Sequence, residues 1–483
     1  MYIRNEDTIC APATVPGTGA ISVIRVSGPE ALTIADKVIS CRKGNISEAA
    51  GYTIKFGTVS DNSGAVLDEV LASVFRAPYS YTGENSVEIS CHASSYIVSS
   101  LMQLLYEAGA RAAEPGEFTQ RAFLNGKMDL AQAEAVADVI ASQNAASHRI
   151  AFKQMKGGFS SELRSMRSEL LELVSLMELE LDFSEEEVEF ADRTRLDSLL
   201  EKIIAHVSRL IDSFRLGNAI KTGVPVAIAG ATNTGKSTLL NALLDEDRAI
   251  VSDIHGTTRD TIEETLNIDG ILFRFIDTAG LRETDEVVEK IGIERTFKKI
   301  SEASIVIAMV DLTRDFTSTF ETIREIVEKV DFETQILIFL LNKTDISEVN
   351  KNVIIENYIV SSIDDKVNTF DYDENPKNRA KIIRTSAKFG TGITELREYL
   401  ADSQRDLLTD SDTTLVTNQR HAQALSDART SLLRVSEGLA SGLPTDLASQ
   451  DIREAIYHLG SIVGEISTDE VLGNIFRNFC IGK

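Results

Sequence analysis

The chain has no tryptophan, eight prolines and four cysteines in 483 residues, and it is short of positive charge, with 49 lysines and arginines against 74 aspartates and glutamates. Each shortage excludes something. So few prolines leave little room for long Pro-rich spacers. The cysteines, Cys10, Cys41, Cys91 and Cys480, are scattered, with no C-x-x-C pair. That spacing supplies neither a zinc site nor a disulfide framework, and it fits a reducing compartment. A net charge of −25 and a pI near 4.7 argue against a protein held to nucleic acid by bulk electrostatics. Any RNA contact needs a local patch or a basic partner. No apolar run approaches the length of a membrane span, and the opening MYIRNEDTIC reads as neither a signal nor a transit peptide. The expected setting is cytoplasmic, a bacterial-type cytosol, with no membrane.

What is present can bury several cores. Apolar residues make up 43% and charged residues 25% of a chain whose length suggests two or three domains. Residues 1–117 alternate short β-rich runs (AISVIRVSG, YTIKFGTV, EVLASVFRAP, NSVEISCH) with turns, then read SSYIVSSLMQLLYEAGA, a helix that Gly109 should stop. This is an α+β domain. Residues 118–217 turn helical, and Leu163, Met166, Leu170, Leu173, Met177 and Leu181 form one apolar stripe that reads as bundle core. The acidic DFSEEEVEF after it reads as a solvated segment. Residues 218–402 alternate strand, loop and helix, and residues 403–483 are helical again. An α/β domain flanked by helices suggests insertion, with both flanks packing into one bundle.

The α/β segment carries the chemistry. The apolar strand VPVAIAG runs into Gly230-Ala231-Thr232-Asn233-Thr234-Gly235-Lys236-Ser237, which fits G-x-x-x-x-G-K-[ST] and, with Thr238 next, opens a helix. Glycines let backbone N–H groups curl around phosphate oxygens, Lys236 reaches the β- and γ-phosphates, and Ser237 ligates Mg²⁺. Asp277-Thr278-Ala279-Gly280 follows the strand ILFRFI; the aspartate holds Mg²⁺ through water and the glycine amide meets the γ-phosphate. Between them, in Gly256-Thr257-Thr258, Thr258 can supply a second hydroxyl to the metal. Asn342-Lys343-Thr344-Asp345 follows ILIFLL, and an Asp345 carboxylate can accept the ring N–H and the amino N–H of guanine together. Ser386-Ala387-Lys388 completes the base pocket. The order of these motifs points to GTP over ATP and to a Ras-like P-loop G domain.

One absence sets the mechanistic class. Ras-like enzymes orient the attacking water with a glutamine after the D-x-x-G glycine, and here that residue is Leu281. An apolar side chain cannot polarise water. Glu283 is the nearest carboxylate, and it reads either as the water-orienting group or as an exposed switch residue. The amide oxygen of Asn233 could hold a monovalent cation against the phosphates, in place of an arginine finger.

These motifs, with GTTRD, DTAGLRE, EPGEFTQRAFLNGKMDLAQAEAVADVI (Glu114–Ile140), TGENSVEISCH and the terminal CIGK, resemble the tRNA-modification GTPases called MnmE or TrmE over the full length. The resemblance implies a folate-binding, dimerising N-terminal domain and a helical domain with an inserted G domain. It implies potassium-dependent GTP hydrolysis in a homodimer. It also implies modification of C5 of the wobble uridine (position 34) of certain tRNAs to an aminomethyl-type derivative such as carboxymethylaminomethyluridine. The one-carbon unit would come from a 5-formyltetrahydrofolate-type folate, and FAD would be carried by a partner, MnmG or GidA, in a heterotetramer or larger complex. Residue by residue, potassium falls to Asn233, Ser252, Ile254 and Thr257, with Asp253, His255 and Gly256 in the same nucleotide-binding loop; magnesium falls to Ser237 and Thr258, and the attacking water to Glu283. Arg25, Glu88, Lys127 and Lys483 match the folate contacts.

Three features depart from the pattern. Cys91-His92-Ala93-Ser94-Ser95 stands where His-Gly-Gly is usual, and His92 reads as structural. Thr232 replaces a common proline, and SSIDDKVNTFDYDENPKNRAK reads as a surface insertion. A ribosome-assembly GTPase is the alternative, but it would want a basic KH-like appendage that these acidic flanks lack. Cys480-Ile481-Gly482-Lys483 has the outline of a prenylation box, yet Gly482 and Lys483 fail its preferences. Cys480 therefore reads as the family's terminal cysteine, either a nucleophile toward the uracil ring or a residue kept for position.

Overall fold

The computed structural model describes residues 7–182, 193–248, 264–276, 300–369, 380–405, 414–441, 445–466, 469–477, 479 and 482. It divides into two compact units, one of residues 1–141, 151–209 and 423–483, the other of 142–150 and 210–422.

The first unit begins with β1 (Ile9–Pro12), β2 (Ile21–Ser27), α1 (Ala31–Val38), β3 (Ile39–Cys41), β4 (Thr53–Ser60), β5 (Val66–Phe75), β6 (Ser86–His92), α2 (Ser95–Ala108) and β7 (Arg111–Ala112). The strands form one sheet in the order β3-β4-β5-β6-β2-β1-β7, antiparallel except for the β1–β7 pair. Alternation decides its faces. Ile24, Val26, Val70, Ala72, Val74, Val87 and Ile89 pack against Ile34 of α1 and Leu101 and Leu105 of α2. The opposite face carries the cross-strand row Ile54–Ser73–Glu88–Arg25. Gly109, at φ 116°, ends α2 as its sequence indicates.

Helices follow: α3 (Glu117–Leu124), α4 (Leu130–Ala141), α5 (Ala145–Met155), α6 (Gly158–Asp182) and α7 (Arg193–Thr222), of which α5 and α7 contribute residues to both units. Asp129 and Gln132 cap α4 reciprocally, each side chain accepting the other's backbone N–H. Leu163, Met166, Leu170, Leu173 and Met177 of α6 are buried, so the stripe is core. The side chain of Leu181 lies outside the described residues.

The second unit holds β8 (Val224–Ala229), α8 (Lys236–Arg248), β9 (Glu264–Ile268), β10 (Ile271–Phe275), β11 (Ile305–Asp311), α9 (Phe316–Lys329), β12 (Ile336–Asn342), α10 (Val349–Thr369), β13 (Ala380–Arg384) and α11 (Ile393–Ser403). Its sheet runs β13-β12-β11-β8-β10-β9 and is parallel except at β9–β10. IVIAMVD and ILIFLLN are apolar up to their last residues because helices cover both faces. Ile305, Ile307 and Met309 join α8 and α11 in one core, whereas Val306, Ala308 and Val310 join α9 and α10 in the other.

Returning to the first unit, α12 (Gln419–Ala440), α13 (Thr445–Val463) and α14 (Asp469–Arg477) end the chain. Ile452, Ala455 and Leu459 bury one face of α13, which packs along α6. The fold is therefore multidomain, with α+β, all-helical and α/β parts, as expected.

One expectation is corrected. The polar stretch after Asp345 is not wholly an insertion, because SSIDDKVNT ends α10. Ile355, Ile359 and Ile363, four residues apart, bury one stripe against α9 and the sheet, and the polar residues between them form the outer face. Lys366 Nζ donates to the carbonyls of Val327, Glu328 and Val330 at the end of α9. Residues 370–379 lie outside the described residues.

Candidate functional site

In the second unit the described residues among those named from sequence, in the Gly230–Thr238 loop, Asn342–Asp345 and Ser386–Lys388, lie at the carboxyl ends of β8, β12 and β13, where parallel sheets present their ligand crevice. Gly230, Asn233 and Gly235 take positive φ (147°, 62° and 100°), which bends the loop after β8 into a curl that opens α8. A Cβ at Gly235 would come within 2.5 Å of Asn342 Nδ2, so only glycine fits there. Lys236 Nζ donates to the carbonyls of Gly230 and Ala231, both at 2.8 Å. That holds the ammonium across the loop it must serve. Thr234 Oγ1 closes the curl through the Ala231 carbonyl at 2.9 Å.

Asn342 joins the base motif to this loop. Its Nδ2 donates to the Thr234 carbonyl at 2.7 Å, and its Oδ1 accepts the Ala387 N–H at 3.0 Å. One buried amide thus fixes the phosphate loop, the β12 end and the Ser386–Lys388 turn together. Ser386 Oγ donates to Asp345 Oδ1 at 2.7 Å and orients that carboxylate. Thr344 is tied to the Thr385 carbonyl through N–H and Oγ1. Lys343, at φ 66°, donates through Nζ to Asp311 Oδ2 at 2.6 Å. Burial pushes Asp311 up, but Lys343 and the Thr313 hydroxyl and N–H outweigh it and hold the carboxyl below its usual range. Sequence reasoning missed Asp311, and it missed Arg314, whose Nη2 donates to the Thr232 carbonyl. An acidic residue closing the otherwise apolar IVIAMVD was the available signal. The cradle, the lysine and the hydroxyls of Ser237 and Thr238 suit a nucleotide phosphate chain with a hard cation.

Ser252 through Thr258, Asp277 through Gly280 and Glu283 lie outside the described residues, as do Cys480 and Lys483.

In the first unit Arg25 and Glu88 pair on the open face of the sheet. Arg25 Nε and Nη2 donate to Glu88 Oε1 at 3.0 and 2.8 Å. The guanidinium lies 5.1 Å from the Tyr81 ring centre and 5.6 Å from that of Phe118. Lys127 Nζ donates to the Pro78 carbonyl at 2.9 Å, which joins it to the same 78–84 loop that carries Tyr81. Gly482, at φ 98°, abuts the Pro12 carbonyl and Ala13, beside the Ala11–Arg25 register pair. The structure therefore brings Arg25 and Glu88 into contact, ties Lys127 to the 78–84 loop and sets Gly482 against the end of β1. An arginine–carboxylate pair between aromatic rings suits a flat heterocycle bearing an acidic tail. His92 is elsewhere: its ring is mostly exposed, with Nδ1 2.7 Å from buried Asp68.

Behind this site is an ionic cluster that the sequence did not disclose. Arg121, fully buried, donates to Asp7, Glu84 and Glu117, and Arg111 donates to Asp7 and Glu117. Hydrogen bonds from Arg111 and then Arg121 hold Asp7 low despite burial. At Glu117 burial is the largest influence and raises the pKa, but bonds from Arg111, the Glu114 N–H and Arg121 together bring it below the usual value.

A family model described as the MnmE helical domain matches residues 130–480, and one described as the GTP-binding protein TrmE N-terminus matches residues 8–127. The tRNA modification GTPase MnmE of Parabacteroides distasonis is 52% identical over 99% of this chain and 100% of its own. Its counterpart in Bacteroides thetaiotaomicron is 53% identical over the same shares. A GTP-binding protein from Sulfolobus solfataricus solved with GDP overlaps 50% of this chain and 67% of its own at 18% identity, with a TM-score of 0.28, too loose a likeness to bear on the site. Two family models meeting almost end to end, and relatives half identical along the whole length, mean that the chain belongs to the MnmE family of tRNA modification GTPases.

Proposed function

We propose that this protein is a potassium-dependent GTPase. With a flavin-dependent partner of the MnmG or GidA kind, it converts C5 of the wobble uridine of certain tRNAs to an aminomethyl-type derivative, drawing a one-carbon unit from a tetrahydrofolate. The observation that carries the nucleotide half is the Asn342 bridge, which locks the guanine-reading Asp345, the Ser386 turn and the phosphate loop into one frame.

In this reading Asp345 accepts the guanine N1–H and amino N–H. The loop amides take the phosphate oxygens, and Lys236 exchanges its two carbonyl partners for the β- and γ-oxygens. Ser237 and Thr258 hold Mg²⁺, and Asn233, with Ser252, Ile254 and Thr257, holds potassium. When bound, both cations neutralise charge that develops on the transferring phosphoryl group. Glu283 orients the water that Leu281 cannot.

The folate half rests on Arg25, Glu88 and Lys127, joined by Lys483 from the chain end, with FAD on the partner. Dimerisation through the N-terminal sheet is supported by Ile21, Ile54 and Leu71, which stand exposed on its open face. Among the described residues no helix is long and apolar enough to cross a membrane, and the proposed setting is the cytoplasm.

The test is steady-state GTP turnover by the purified full chain in potassium and in sodium. Turnover stimulated by potassium alone, with GTP strongly preferred to ATP, is expected. Equal rates in the two salts would remove the cation assignment, and equal use of ATP would remove the guanine reading.

A further inference from the structure

The 78–84 loop is latched from both sides. Tyr81 Oη lies 2.8 Å from Thr119 Oγ1 of α3, and Asn125 Nδ2 donates to the Thr82 carbonyl at 2.7 Å. Thr82 Oγ1 lies 2.7 Å from Ser27 Oγ, two residues beyond Arg25 in β2. Glu84 closes the latch, since its Oε2 accepts from Ser27 Oγ at 2.8 Å while its Oε1 accepts from Arg121 Nη1 at 3.2 Å. Arg121 is itself fixed independently of the loop, by the Asp7 carbonyl and carboxylate and by Glu117. Among the described residues, Glu84 is therefore the one charged link between the buried Arg121 guanidinium and the loop whose Tyr81 ring flanks Arg25.

We propose that Glu84 is a positioning residue of the folate site: clamped between Ser27 and buried Arg121, it sets the 78–84 loop so that Tyr81 stands against the Arg25 guanidinium. It touches no ligand in this scheme and acts through Tyr81 and Arg25. A charge is required because Arg121 has competing carboxylates in Asp7 and Glu117. A neutral amide at position 84 keeps the Ser27 bond but loses the pull on Arg121. The pocket claim rests on the folate reading above, whereas the loop claim does not.

The experiment compares Glu84→Gln with Asp7→Asn in the full chain. Both weaken the Arg121 cluster, but only the first lies in the loop. 5-Formyltetrahydrofolate binding is read by calorimetry, amide hydrogen exchange is read over residues 78–84, and melting temperature is read in parallel. Glu84→Gln is expected to weaken folate binding about tenfold and to speed exchange in 78–84. Asp7→Asn is expected to lower the melting temperature at least as much, with folate affinity within twofold of wild type. Folate binding unchanged in Glu84→Gln, or lost equally in Asp7→Asn, overturns the positioning role. If the wild-type chain binds no folate, the folate reading fails instead. The exchange arm then decides: unchanged exchange in 78–84 refutes the latch and faster exchange upholds it.

Discussion

Gly482→Ala is the sharpest probe of how Gly482 is held against β1. Gly482 sits at φ 98°, where an L side chain is strained by roughly 1–2 kcal/mol, and its added Cβ would fall inside the contact distance of the Pro12 carbonyl oxygen. Neither Pro12, in β1 beside Arg25, nor the sheet behind it can retreat, because the register Ala11–Arg25 and Pro12–Ile24 fixes that strand. The strain and the overlap together amount to about 3 kcal/mol against the contact of Gly482 with β1, or about a hundredfold in that docking equilibrium. The sheet core does not include Gly482, so the melting temperature of the first unit should move by no more than about 2 °C. The assay is hydrogen exchange at the Gly482 amide, beside folate binding and thermal melting. Exchange tens of times faster in Gly482→Ala, with folate binding weakened and the fold retained, is expected. Exchange at the wild-type rate would refute the docking of Gly482 on β1.

Asn342→Ala should leave the Thr234 carbonyl and the Ala387 N–H without their buried partner, at a combined cost of about 3 kcal/mol, so GTP affinity measured by fluorescent-nucleotide titration should fall by two orders of magnitude. Asp7 and Glu117 titrate lower in the folded protein than unfolded, so they stabilise it above about pH 4 and that contribution fades as pH falls through their depressed values. Thermal melting from pH 7 to 3 should therefore drop below about pH 4, and Glu117→Gln should lose about 2 kcal/mol at pH 7 yet show a flatter acid slope. Glu283→Ala should slow single-turnover hydrolysis without weakening GTP binding; normal turnover would retire its water-orienting role. Cys480→Ser tests thiol chemistry, which requires loss of modification with folate binding preserved.

The phosphate loop and the base motif were legible because their chemistry is local: glycines, a lysine and an apolar strand at fixed spacing dictate the curl. The helix stop at Gly109 and the buried stripe of α6 follow from equally short-range patterns. The rest depended on partners far along the chain. Arg121 reads in TQRAF as an ordinary helical surface charge, yet it is buried by Asp7, 114 residues away, and Glu84, 37 residues away. The outer strand β7 has two residues and exists only because β1 is there to pair with it. The end of α10 looked like an insertion because its polar face dominates the text, while three isoleucines hold it to the core. The Arg25–Glu88 pair was named by likeness, but its setting between Tyr81 and Phe118 became visible only once the sheet and α3 met.

The central claim is that this chain serves wobble-uridine modification, and nucleoside mass spectrometry of tRNA tests it most directly. Cells lacking the protein should lose the aminomethyl-type derivative at position 34 and regain it when the full chain is restored, but not when the Asn342→Ala chain is. An unchanged wobble-uridine profile in the deleted cells would contradict the account.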